Sequence, residues 1–95
     1  MEAAVRDAIV QHGLDRSLPV APDALDTRPT TDDGFFHEVR VPLVNYLAAP
    51  WYLFDSADTL DKVDRLTLAA LSRATFDIVA STAGVSAAAI RAGTR

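Results

Sequence analysis

Residues 15–34 form a stretch that carries Pro19, Pro22, Pro29 and Gly34 among Asp and Thr residues. Proline lacks the backbone N–H that helices and central strands need, so this composition predicts a loop or an extended arm. A short helical turn over residues 22–25 is compatible with it. Because about 20 residues without regular structure is long for a compact domain, we expect the arm to lie along a partner or over its own domain.

The chain is short and contains no cysteine. Its 95 residues argue for one domain, and a hydrophobic share of 49% is normal for a globular protein. The lack of cysteine excludes a disulfide scaffold, a thiolate zinc site and a cysteine nucleophile, and it favours a reducing compartment, the cytoplasm or a particle assembled there. The acidic start does not fit a signal peptide, and no apolar run approaches the roughly 18 residues of a membrane span.

The formal net charge of −4 is concentrated in the first half of the chain. Residues 1–50 hold four Arg against eight acids, whereas residues 51–95 hold five bases against five acids. An acidic half disfavours non-specific binding to nucleic acid or to an anionic membrane, since both are negatively charged. From Leu66 onward three Arg accompany one Asp, so a phosphate backbone would be tolerated only in this C-terminal third.

Helical spacing predicts a first helix before the arm. Residues 2–12 combine several alanines with an apolar stripe, and Gly13 follows as a stop that tolerates a positive φ. His12 lies in the last turn, where the helix dipole favours a positive charge. We therefore interpret His12 as a helix-end residue rather than as a catalyst.

A stronger helical pattern occupies the last third of the chain. Asp55 or Ser56 is the expected N-terminal cap, and apolar residues then recur at helical spacing. This helix is expected to end near Ser72 or to run on to Thr82. A final helix, capped by Ser86, is expected to extend to about residue 92.

Residues 31–48 fit two kinds of structure. Alternating apolar residues favour a strand at residues 35–41, but the spacing also fits a helix over 31–48 that bends near Pro42. We favour the helix. The chain is therefore predicted to be all-α, a small bundle of about four helices in one domain (1–95), with the loop or arm at 15–34, a helical C-terminal part at 56–92, and a minor β element near 35–41 as the alternative.

Residues 41–54 hold no charge and contain four of the seven aromatic residues. One interpretation is that this segment forms the core. The other is that part of it is a protein–protein interface, because Trp and Tyr are favoured anchors there. The candidate interface residues are Tyr46, Trp51, Tyr52 and Phe54.

Residues 76–91 carry a second pattern, with Ala80, Gly84, Val85, Ser86 and Ile90 at characteristic positions. This pattern resembles the helix-turn-helix of bacterial repressors, with a small residue where two helices cross, a glycine in the turn, two apolar pegs and a cap. The resemblance implies DNA binding by a dimer, with Ser86, Ala87 and Arg91 facing DNA and with Arg73 and Arg95 near phosphates. The sequence departs from the motif in two ways. Gly93 stands where a further apolar residue is expected, and alanines at 87–89 cannot hydrogen-bond a base edge.

Two groups of side chains are candidates for other chemistry. The acids Asp55, Asp58, Asp61 and Asp64 recur every third residue, which suggests a hard cation, but capping and ion pairing within a helix explain them without a metal. Asp33 and His37 are four residues apart beside Glu38, the spacing of paired ligands or of an acid and a base, but no third ligand is evident. We predict no cofactor and no metal.

The function favoured by these observations is that of a non-enzymatic interaction or assembly subunit. Such a chain would pack against a protein partner, or against copies of itself, in a virion-like or similar multi-subunit particle. The helix-turn-helix DNA binder is the alternative. An enzyme or a small-molecule binder using Asp33, His37 and Glu38 ranks third, because no substrate is indicated.

Overall fold

The computed structural model describes residues 1–20, 29 and 31–92. Its helices are α1 (Glu2–Gln11), α2 (Asp33–Glu38), α3 (Arg65–Ala80) and α4 (Ala87–Ala92), with one 3-10 turn at Leu60–Lys62. No strand occurs in the described ranges. The predicted all-α fold of about four helices is thus confirmed, and the alternative of a β element near 35–41 is wrong. None of the described helices is both long enough and apolar enough to cross a membrane.

The core lies where α1 packs against α3. Ala8 and Ala74 are only 2% and 1% exposed, and such small residues allow two helix backbones to approach closely. Leu14 and Ile78 complete the buried set. Five further apolar residues pack around it while partly exposed: Val5, Ile9, Val44, Ala70 and Leu71. The core of the described part of the chain is therefore small and built largely from short side chains.

The first helix ends at its predicted stop. Gly13 has a φ of 63°, its N–H donates to the carbonyl of Val10, and the N–H of Leu14 donates to the carbonyl of Ile9 at 2.9 Å. This pair of hydrogen bonds is the Schellman pattern, which closes a helix with a left-handed residue. The turn sends Leu14 back into the core, so the glycine stop also supplies a core residue.

The second helix is shorter than predicted. It ends at Glu38, and the expected continuation to residue 48 is wrong. The N–H groups of Arg40 and Val41 donate to the carbonyls of His37 and Phe36, both at 2.9 Å, which repeats the Schellman pattern. Here Arg40, with a φ of 59°, occupies the left-handed position that glycine usually fills. Pro42 follows at once and cannot extend the helix.

The long C-terminal helix begins later than predicted. Its cap is Asp64 rather than Asp55 or Ser56, since Asp64 accepts the backbone N–H of Thr67 at 3.1 Å and the Thr67 hydroxyl at 2.7 Å. α3 ends at Ala80, close to the longer of the two expected limits. The predicted cap of the last helix is confirmed, because the Ser86 hydroxyl accepts the N–H of Ala89 at 3.2 Å. The predicted turn at residues 22–25 lies outside the described residues.

Candidate interaction surface

The uncharged segment 41–54 lies mostly on the surface. Trp51 is 84% exposed, Phe54 is 97% exposed and Leu47 is 70% exposed. Of its residues, Val44 packs against the buried core. The interpretation of the whole segment as the core is therefore wrong. Most of its apolar side chains are exposed to solvent in the single chain.

The first part of the segment is held against α3 by alternate residues. Val44 packs on the core, and the hydroxyls of Tyr46 and Thr75 are 3.1 Å apart. Thr75 also donates to the carbonyl of Leu71, so its single proton is used and the Tyr46 hydroxyl is the donor of the pair. Residues 45–49, Tyr46 included, are all exposed, and the side-chain amide of Asn45 donates to the hydroxyl of Thr31 at 3.5 Å.

Residues 43–49 make no backbone–backbone hydrogen bond within the part of the chain that the structure describes. Residues 41–50 show no helix, turn or bend. Pro42 and Pro50 delimit this stretch.

The second part of the segment is an aromatic turn. The N–H of Leu53 donates to the carbonyl of Pro50 at 3.0 Å, and the N–H of Asp55 donates to that of Tyr52 at 2.9 Å. The rings of Trp51 and Tyr52 meet edge to face, with centroids 5.4 Å apart. Phe54 has a φ of 66°, an unfavourable conformation for a residue with a Cβ. Of the four candidate interface residues, Tyr46, Trp51 and Phe54 are exposed and Tyr52 is half-buried.

A second apolar surface, which the sequence interpretation missed, lies on α2. Phe35, Phe36 and Val39 are all more than half exposed. The three residues share one face at helical spacing, but the sequence did not show that the helix ends at Glu38 and leaves this face exposed. These side chains were instead assigned to a longer helix.

The helix-turn-helix residues are only partly arranged as the resemblance implies. Gly84 has a φ of 77°, as a turn glycine should, and Ser86 caps α4. However, Ala80 is exposed and Val85 is 44% exposed, whereas the motif requires both where two helices meet. Among the described helices, none forms a packed pair with α4.

The predicted DNA-facing residues do not form one surface in the described structure. Ser86, Ala87 and Arg91 lie at α4 and are exposed. Arg73 lies on α3 and instead lines a shallow groove with Gln11 and His12 at the end of α1. Arg95 is outside the described residues.

That groove contains a polar pair that the sequence did not reveal. The Nε2 atom of His12 lies 2.6 Å from Oδ2 of Asp77, and the histidine ring is largely buried. His12 does end α1 as predicted, but its partner is 65 residues away, and no local pattern signals such a contact. Ser72 lies on the same groove with its hydroxyl donated to the carbonyl of Leu68, so it is not arranged as a nucleophile with His12.

Three of the four spaced acids have separate local roles. Asp55 accepts the N–H of Ala57 at 2.8 Å, Asp61 pairs with Lys62 at 2.6 Å, and Asp64 caps α3. The bond from Lys62, aided by the Thr59 hydroxyl, lowers the pKa of Asp61, and the bonds from Thr67 lower the pKa of Asp64. No group of three potential ligands gathers within the described ranges.

The pair Asp33 and His37 is likewise not assembled as a site. Both residues lie on α2, where Asp33 accepts the hydroxyl of Thr31 and His37 is exposed. No hydrogen bond between the two side chains is present among the described contacts. The geometry gives no support to an acid and base acting together here.

Comparison with known proteins does not add to this description. No family model matches the chain, and no match was found among the curated proteins or the solved structures. The function is therefore argued from the residues of this chain.

Proposed function

We propose that this chain is a non-enzymatic interaction or assembly subunit, and that residues 41–54 form its contact surface for protein. The observation that carries the proposal is the exposure of Trp51 and Phe54, at 84% and 97%, within a segment that has no charge. Large aromatic side chains are concentrated in the centres of protein interfaces, and Lys and Glu are depleted there.

The exposed rings represent a substantial driving force for association. At 150–250 Å² per aromatic side chain, Trp51 and Phe54 together present about 300–400 Å² of mostly apolar surface. Covering that surface is worth about 8–10 kcal/mol at 25 cal/mol per Å², before the entropic costs of association are subtracted.

The small core supports the same proposal. The buried apolar residues of the described structure are Ala8, Leu14, Ala74 and Ile78, two of which are alanines. A chain of this length has little buried surface to balance its conformational entropy. A partner that binds the folded form would add its binding free energy to the stability of the fold.

The test replaces Trp51 and Phe54 together by alanine and compares the result with Leu60→Ala. Leu60 is 79% exposed and lies outside the segment, so its replacement removes apolar surface without touching the proposed contact. Mass measurement by light scattering and sedimentation should show that the double variant loses self-association or binding to a defined partner, whereas Leu60→Ala retains it. Equal association of the two variants would contradict the proposal.

A second candidate is DNA binding through α3, the Gly84 turn and α4. It is favoured by the left-handed Gly84 and by the Ser86 cap. The test is fluorescence anisotropy of a labelled random duplex across a salt series. Binding at low salt that weakens steeply as salt rises, and that is reduced by Arg91→Ala, would support it. No binding at low salt would exclude it.

A further inference from the structure

We draw no further inference here: the strongest candidate, the exposed apolar patch at Phe35, Phe36 and Val39 on α2, is a surface for which nothing in the described part of the structure shows what covers it.

Discussion

His12, at the end of α1, and Asp77, one turn before the end of α3, are bonded side chain to side chain, with Nε2 and Oδ2 2.6 Å apart. The two helices that enclose the core are thereby fixed to each other at one end by a polar contact. One turn away on each helix, Ala8 and Ala74 are buried in the core, so a polar contact and the apolar core share one helix pair.

Loss of this contact should destabilise the chain. We expect His12→Ala and Asp77→Ala each to lower the free energy of unfolding by about 1–2 kcal/mol, since the histidine ring is largely buried and a hydrogen bond to a charged group is lost. Asp58→Ala, at an exposed acid, is the control. In urea unfolding, the double variant should lose less free energy of unfolding than the sum of the two single losses. Strictly additive losses would mean that the two side chains do not interact.

Replacing Arg40 by glycine should stabilise the chain. Arg40 holds a φ of 59° in the Schellman turn after α2, where a Cβ is unfavourable by about 1 kcal/mol. The melting temperature should therefore rise for Arg40→Gly. It should fall slightly for Arg16→Gly, because the backbone of Arg16 does not have a positive φ. A fall for both variants would show that the left-handed turn is not present in solution.

Phe54 should show opposite effects on stability and on association. Phe54→Gly relieves the left-handed strain at φ 66° and should stabilise the monomer by about 1 kcal/mol while weakening association. Phe54→Ala, which keeps the Cβ, is the matched control and should weaken association without the gain in stability. If glycine weakens both properties, the residue has a structural role that its exposure does not indicate.

The acid stability of the chain should depend on Asp64. The bonds from Thr67 lower its pKa below 3.8, so the stabilisation is present above that pH and is lost as pH falls through the lowered pKa of the folded chain. Asn also caps helices, so Asp64→Asn should have a melting temperature close to that of the parent chain at neutral pH and a shallower loss below pH 3.8. An unchanged acid profile would contradict this role. Asp64→Ala should be less stable than the parent chain at neutral pH, and this difference should shrink as the pH falls through the lowered pKa of Asp64.

The predictable parts of the fold are those with local causes. Gly13 stops α1 and Ser86 caps α4 because each acts on residues within one turn of itself. The start of α3 was misplaced because Asp55 and Asp64 have the same capping chemistry, and Asp55 uses it in a local turn with Ala57. Contacts between distant residues, such as that of His12 with Asp77, leave no local pattern.

The candidate surface was predictable in its residues but not in its exposure. The hydrophobicity of Trp51 and Phe54 shows that both side chains favour burial. It does not show whether residues of the same chain or of a partner bury them. The end of α2 at Glu38 decides this point, because a non-helical segment now follows where a helix was expected to pack. The apolar side chains beyond Pro42 are thus brought to the surface.

The most direct measurement is the accessibility of Trp51, which is the one tryptophan of the sequence. Its fluorescence should be recorded with a neutral quencher in the dilute chain, after light scattering has established that the chain is monomeric and circular dichroism that it is folded. We predict emission at the long wavelengths of tryptophan in water and efficient quenching, both lost on association. Short-wavelength emission and poor quenching in the folded monomer would show that residues 41–54 form part of the core and would contradict the account.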